Sequence, residues 1–320
     1  MKIPLPSPFR RGAGGEVNNL NKPKKILITG SNGLLGQKTT EIFRHETPHE
    51  LILTDLHDNA FDSKGFDYFP MDITKKEEVK DAVKKYQPEL IINTAAYTNV
   101  DGCETDRELS WKVNVDAVKN FIIATRINSS KIIHISTDYV FDGKSGNYTE
   151  GSKPNPLSYY GKSKLAAENA LITSGVNFAI LRTMIIYGTG KNLRPNFAIW
   201  LINMLTEKNT VTIVDDQFGM PTMVDDLGWA LVKIVELNKS GIYNVCGSEY
   251  CNRYEFAVKL AGIFGLNENL IMPIKTSDLN QAAERPMNSS FILLKAETDL
   301  GIKTLNVTEG LNLLKVQLGL

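Results

Sequence analysis

Short apolar runs recur along the first half of the chain. KKILITG (Lys24–Gly30), HELILTD (His49–Asp55), DYFPMD (Asp67–Asp72), ELIINTA (Glu89–Ala95), KIIHIST (Lys131–Thr137) and NFAILRT (Asn177–Thr183) have the length and β-branched content of strands. Helix-forming segments fill the gaps, at Leu34–His45, Lys75–Tyr86, Arg107–Asn128 and Tyr160–Thr173. Strands that are apolar nearly throughout have no polar face to offer water. They predict a parallel sheet covered on both sides. Strands alternating with helices give the fold class: α/β, a doubly wound parallel sheet.

After about Thr183 the pattern loosens. Helical stretches at Asn196–Glu207, Val224–Leu237 and Arg253–Phe264 mix with short strands such as TVTIV and GIYNV. Three parts are expected: a flexible N-terminal extension over 1–23, a dinucleotide-binding domain over 24–187, and a mainly substrate-binding region over 188–320. Some segments of the last part are expected to return to the sheet. The extension is rich in Pro, Gly and Asn and has no apolar run long enough for a signal peptide or a span.

Bulk composition narrows the partners. Lys plus Arg and Asp plus Glu are equal at 36 each, for a formal net charge of zero. That balance argues against nucleic acid as the main partner. No stretch is continuously apolar over the roughly 18 residues a membrane span needs. The three cysteines, Cys103, Cys246 and Cys251, form no C-x-x-C pair, so neither a zinc site nor a disulfide framework is signalled. A reducing, cytoplasmic setting fits.

The first strand runs into GSNGLLG, where Gly30, Gly33 and Gly36 form G-x-x-G-x-x-G. The first glycine permits the tight turn and the second lets backbone approach a pyrophosphate. The third lets helix pack on strand. The open N–H groups of the helix start then face the phosphate charge. This is a Rossmann-type dinucleotide signature in its proper context of strand, loop and helix. Asp55 ends the second strand, 19 residues beyond Gly36, where a carboxylate accepts from ribose hydroxyls and repels a 2′-phosphate. No arginine is near it in sequence, which favours NADH over NADPH. Asp72 and Ile73, after the third strand, are expected near the adenine. The strand ends NTAAYTNVD and HISTDYVFDG add small and polar groups at the same edge of the sheet, the place where open α/β sheets bind ligands.

LSYYGKSKLAAEN holds a Tyr and a Lys four apart, Tyr160 and Lys164, on one face of a helix. Alone, that spacing is a weak signal, because two packed tyrosines and two solvated lysines explain it as well. A free phenol has a pKa of about 10, and a neighbouring ammonium lowers it, so the pair can exchange protons near neutrality. Tyr159 is expected to shape the helix entrance, and Lys162, on another face, to reach solvent.

Together these blocks resemble the extended short-chain dehydrogenase/reductase superfamily. NTAAYTNVDGCE, STDYVFDG, PLSYYGKSKLAAE, LRTMIIYG, DDQFGMPT and ERPMNSS are similar to the dTDP-4-dehydrorhamnose reductase family, over roughly Lys24–Leu320. The resemblance implies a reductase that converts a nucleotide-linked 4-keto-6-deoxy sugar with NAD(P)H. Its catalytic set would be Thr137, Tyr160 and Lys164, with Tyr160 as proton donor. Cofactor contacts are expected at Gly30, Asn32, Gly33, Leu34, Gly36, Asp55, Asp72, Ile73, Ala95, Ala96, Tyr97, Tyr160 and Lys164. Substrate contacts are expected at Val100, Asp101, Thr137, Asp138, Tyr139, Gln217 and Arg285, the last as a cation for a diphosphate. A homodimer is compatible with the resemblance.

The departures from that family are informative. The reductases usually carry Ser-Trp where this chain has Met184 and Ile185. Some members place a glutamate just beyond the glycine motif to bind magnesium between subunits. Lys38 stands here, so magnesium is not indicated and no metal site is expected. A dehydratase would need an Asp-Glu pair after the Thr, and Asp138-Tyr139 disfavours it. An epimerase is a further alternative. The regulatory subunit of methionine adenosyltransferase shares the fold, similar blocks and an aliphatic residue at the tryptophan position. It is the non-catalytic alternative.

Overall fold

The computed structural model describes residues 22–59 and 65–320. Residues 1–21 of the expected flexible extension lie outside the described residues. Six strands form where the apolar runs stand: β1 (Lys25–Thr29), β2 (Glu50–Asp55), β3 (Asp67–Pro70), β4 (Leu90–Asn93), β5 (Lys131–Thr137) and β6 (Phe178–Thr183). A seventh, Gly241–Asn244, pairs with β6. All seven run parallel, in the order Gly241–Asn244, β6, β5, β4, β1, β2, β3. The order reverses at β1, between β4 and β2. The carboxyl ends there splay into a crevice.

The helices beside this half are α1 (Leu34–Glu46), α2 (Lys76–Tyr86), α3 (Val100–Thr105), α4 (Arg107–Trp111), α5 (Ala117–Thr125) and α6 (Tyr159–Ile172). Alternate strand residues serve the two faces. Leu27, Ile91, Ile132 and Ile180 pack with Val79 of α2, Phe121 of α5 and Ala167 of α6. Ile26, Ile28, Ile92 and Leu181 pack with Ile42 and Phe43 of α1 and with Leu227 and Leu231 of the helix Val224–Glu236. Both faces are therefore apolar, the physical reason the runs lack alternation.

Segments after residue 187 divide between two places. Strand Gly241–Asn244 and helix Val224–Glu236 belong to the sheet layers. Helices Phe197–Thr206, Arg253–Phe264 and Val307–Gln317 and the paired strands Val211–Val214 and Ile271–Ile274 enclose a separate core around Leu201, Phe256, Leu260 and Leu311. Among the described residues, no helix is long and apolar enough to cross a membrane.

The expected helix Arg107–Asn128 is an unbroken helical run to Thr125, but not a uniform α-helix. It is α4, a π-helical turn at Lys112–Asp116, and α5, which ends at Thr125. Such turns insert a residue and re-aim side chains. Here the turn carries Asn114, whose amide takes Tyr97 N and O at 2.9 and 3.1 Å and Ser163 Oγ at 3.1 Å. The short helix α3 begins within the stretch NTAAYTNVD, at Val100. It is started by Asn99, whose side chain accepts from Gly102 N at 2.9 Å.

Candidate active site

The glycine motif forms the floor of the crevice. Gly30 sits at φ +67°, and a Cβ there would lie 2.6 Å from Ala95 N. A Cβ on Gly36 would lie 2.1 Å from Gly30 O, so any side chain would lift α1 off β1. Gly33 caps α1 without a side-chain bond, and the first turn carries no acid. Its open amides and positive helix end suit a phosphate.

Two adjoining cavities, about 540 and 460 Å³, share Gly33, Thr94 and Ala96 as wall. The first is lined by the predicted Gly30, Asn32, Asp55, Asp72, Ile73 and Ala95. The second is lined by Leu34, Gly36, Val100, Thr137, Asp138 and Tyr139 together with Tyr160 and Lys164. An uncapped helix start, a glycine floor and two cavities in line fit a dinucleotide that reaches from β2 to α6.

Asp55 holds the loop of the first cavity in place, its Oδ2 accepting from Asn32 N at 3.1 Å and its Oδ1 from Leu56 N at 2.8 Å. Asp72 accepts from Thr74 N and Oγ1 at 2.9 and 2.7 Å. Arg194 also lines this cavity, from a segment far along the chain. That segment is clipped to α1 by Gln37, which donates to Lys191 O and accepts from Lys191 N, at 2.9 and 2.8 Å. The sequence places no arginine near Asp55, but the fold sets Arg194 on the wall of the same cavity.

In the second cavity, Ser158 starts α6 by accepting from Gly161 N at 3.2 Å. Tyr160 stands edge-on to Tyr139, ring centres 5.6 Å apart. Its ring is partly covered, but its hydroxyl is walled in, and burial pushes its pKa above that of a free phenol. A hydrogen bond with the Thr137 side chain opposes this. The expected lowering by Lys164 is not found. The amine of Lys164 is buried, donating to Ile135 O at 2.6 Å and meeting His134 Nε2 at 3.2 Å. Burial lowers its pKa to about 8, with the charge of Glu168 opposing. Asp138 is buried as well and raised to about 6 by desolvation, against hydrogen bonds from Ser289 and Thr137 at 2.5 and 3.0 Å.

Four predicted residues fall outside both linings. Tyr97 is engaged through its backbone by Asn114. Gln217 is buried and donates to Thr276 Oγ1 at 3.1 Å. Arg285 and Asp101 meet each other in a two-pronged pair at 3.0 and 2.6 Å, and Asp101 also accepts from Ala283 N at 2.9 Å. The Arg285 pair holds the Asp101 carboxyl below its ordinary range. Arg182 is structural: its guanidinium grips Glu168 at 2.9 and 2.6 Å in the core. Lys38, at the position of the magnesium-binding glutamate, is buried against Glu41 and Asp225 at 2.7 and 3.4 Å. Tyr159 lies under Arg107 at 5.1 Å and Lys162 is exposed.

Sequence reasoning missed Asn114, Arg194 and Arg253. Burial raises both Asp138 and Tyr139, and Arg253 stands near enough that its charge opposes that rise. It also missed the strain at Ile185, a β-branched residue at φ +45° on the wall of the second cavity. Its carbonyl is pinned by Thr222 N at 3.0 Å.

Fold and crevice define a doubly wound, dinucleotide-binding protein with a Thr, Tyr, Lys set at the inner end of its cleft. The chain belongs to the RmlD substrate binding domain family, whose model matches residues 24–318. A dTDP-4-dehydrorhamnose reductase of Aggregatibacter actinomycetemcomitans is 34% identical, covering 87% of this chain and 94% of its own. The methionine adenosyltransferase 2 subunit beta of Bos taurus is 30% identical, covering 90% and 85%. A solved dTDP-4-dehydrorhamnose reductase of Bacillus anthracis, in complex with NADP, has a TM-score of 0.80 at 29% identity, covering 92% of this chain and 100% of its own.

Proposed function

We propose that the chain reduces the ketone of a nucleotide-linked 4-keto-6-deoxy sugar, with dTDP-4-dehydrorhamnose as substrate and dTDP-L-rhamnose as product. The observation that carries this is Thr137, Tyr160 and Lys164 gathered in one cavity that continues the glycine-floored one. When bound, the reduced dinucleotide supplies a hydride. Gly30, Gly33 and the start of α1 would hold its phosphates, and Asp55 its adenosine ribose. Asp55 favours NADH.

Tyr160 gives its proton to the ketone oxygen, and Thr137, whose one hydroxyl proton turns from Asp138, donates a hydrogen bond to that oxygen as charge develops. A phenol raised by burial keeps its proton at neutral pH but is a weaker acid, so donation needs the phenolate it leaves to be stabilised. Lys164 supplies the nearby cation that steadies the phenolate left behind. The charges of Arg253 and Arg285 both reach Tyr139, but Asp101 already holds Arg285, so Arg253 is the cation we assign to the substrate diphosphate. The buried, unpaired Cys103, Cys246 and Cys251 suit a cytoplasmic setting.

The test is oxidation of NADH and NADPH, in parallel, with dTDP-4-dehydrorhamnose. Turnover that vanishes in Tyr160→Phe while dinucleotide binding persists supports the reading, and turnover that survives sinks the mechanism. The relation to the methionine adenosyltransferase subunit, with the aliphatic Met184 and Ile185, favours a second reading as a regulatory subunit. Tight binding to a methionine adenosyltransferase catalytic chain, without ketone-dependent oxidation, would establish it.

A further inference from the structure

The centre of the sheet carries a row of polar side chains that the proposed chemistry does not use. Thr29 of β1, Asn93 of β4 and His134 of β5 are register partners on three adjacent strands. They follow Leu27, Ile91 and Ile132 on the same face, so aliphatic residues would continue the pattern. All three are at most 1% exposed. Thr29 Oγ1 lies 2.7 Å from Asn93 Oδ1, and Asn93 Nδ2 lies 3.2 Å from His134 Nδ1. The other ring nitrogen, Nε2, faces Lys164 Nζ at 3.2 Å. A polar row costs stability in an apolar layer unless each group is paired. This one is paired end to end, and it ends on Lys164.

We propose that His134 is a positioning residue for Lys164: through the row Thr29–Asn93–His134 it gives the buried amine a hydrogen-bond partner in both its charged and its neutral form. The two ring nitrogens make this work, because the bond at one decides the proton at the other. With Asn93 Nδ2 toward Nδ1, the imidazole proton sits on Nε2, and a neutral amine accepts it. With the amide turned, Nδ1–H donates to Oδ1, Nδ2 donates to Thr29 Oγ1, and Nε2 accepts from the ammonium. The imidazole stays neutral in both, since burial and the charge of Lys164 hold its pKa well below the ordinary value. Ile135 O takes one proton of the amine in either state.

The other ionisable groups around the amine are few. Glu168 stands one turn along α6, held by Arg182 of β6 and Ser136 of β5. Tyr160 of α6 and Asp138, just beyond β5, line the same cavity. None of these can replace an uncharged partner on the inner side.

The inference rests on Lys164 belonging to the catalytic set, but its first test needs no turnover. The chain has four histidines. In imidazole-¹⁵N-labelled protein, His134 is assigned by its loss in a His134 variant. It should stay neutral while its tautomer changes over near pH 8, where Lys164 titrates. In Lys164→Met it should hold one tautomer throughout. A single tautomer in the unmutated protein across that range, or an imidazolium, overturns the proposal. In the pH profile of kcat, His134→Leu should move the alkaline limb to lower pH by about one unit, a tenfold change in proton concentration, because the bond lost to the ammonium is stronger than the bond lost to the neutral amine. His134→Gln, which keeps an acceptor, should restore it. A folded His134→Leu protein with an unmoved limb also overturns it. Failure of the reductase reading shows separately, as no ketone-dependent oxidation of NADH or NADPH by the unmutated protein.

Discussion

Removing Glu168 or Arg182 alone should unfold the protein far more readily than removing both. Glu168 is 0% and Arg182 2% exposed. The guanidinium makes two bonds to the carboxylate, at 2.9 and 2.6 Å, and a third to Glu150 O at 3.3 Å. Ser136 Oγ donates to Glu168 Oε1 at 2.5 Å, and the guanidinium lies 5.1 Å over the Phe141 ring. Glu168→Leu leaves a desolvated guanidinium without its counter-ion, and such losses cost about 3–5 kcal/mol. Arg182→Met strands the carboxylate by the same argument. In the double variant no charge is left buried. What remains is the bond lost to Ser136 and the one lost at Glu150 O, about 1 kcal/mol each. Equilibrium urea unfolding at fixed pH reads all four proteins. The expected result is two single losses of about 3–5 kcal/mol and a double loss near about 2 kcal/mol. A single loss under about 1 kcal/mol, or a double loss equal to the sum, would refute the reasoning. The pair also ties α6 to β5 and β6, so the single variants should lose turnover with Tyr160 and Lys164 intact.

Other outcomes can be checked with similar means. Asp226 is buried, accepts from Leu305 N at 3.1 Å, and is raised by desolvation from 3.8 to about 7. A raised folded pKa means its contribution is fully present below the unfolded value and lost as pH rises through about 7. Asp226→Asn should therefore match the unmutated protein near pH 4 and exceed it at pH 8, by up to about 4 kcal/mol in denaturant titrations. Equal stabilities at pH 8 would count against the burial argument. Arg194→Ala should weaken NADH and NADPH binding about equally, several-fold by fluorescence titration, through loss of a cation from the wall of the first cavity. Loss confined to NADPH would assign Arg194 to a 2′-phosphate and end the NADH preference. Gly36→Ala should cost about 1–3 kcal/mol and abolish dinucleotide binding, since its methyl would strike Gly30 O. Normal binding by that variant would show that the α1–β1 approach is not needed.

What could be read from the chain alone follows from how local each feature is. Strands β1 to β6 and helices α1, α2 and α6 announce themselves because each run carries its own apolar content and its own cap or turn. The glycine loop and Tyr160–Lys164 are legible for the same reason, each completed within seven residues. Features made by distant segments were not. Arg285 looked like a free cation until the fold brought Asp101 to it across 184 positions. Arg194 reaches the cavity of Asp55 only because Gln37 clips its segment to α1. The π-turn that delivers Asn114 to Tyr97 and Ser163 has no periodic mark, since one inserted residue disturbs the apolar spacing too little to show. The most telling case lies inside the best-read elements. In ELIINTA and KIIHIST a polar residue follows two consecutive isoleucines, Asn93 in one and His134 in the other. Either alone is a blemish in a strand. Parallel register places them side by side, against Thr29 and under Lys164. Register is a property of paired strands, so an interruption gains its meaning only when the neighbouring strand is known.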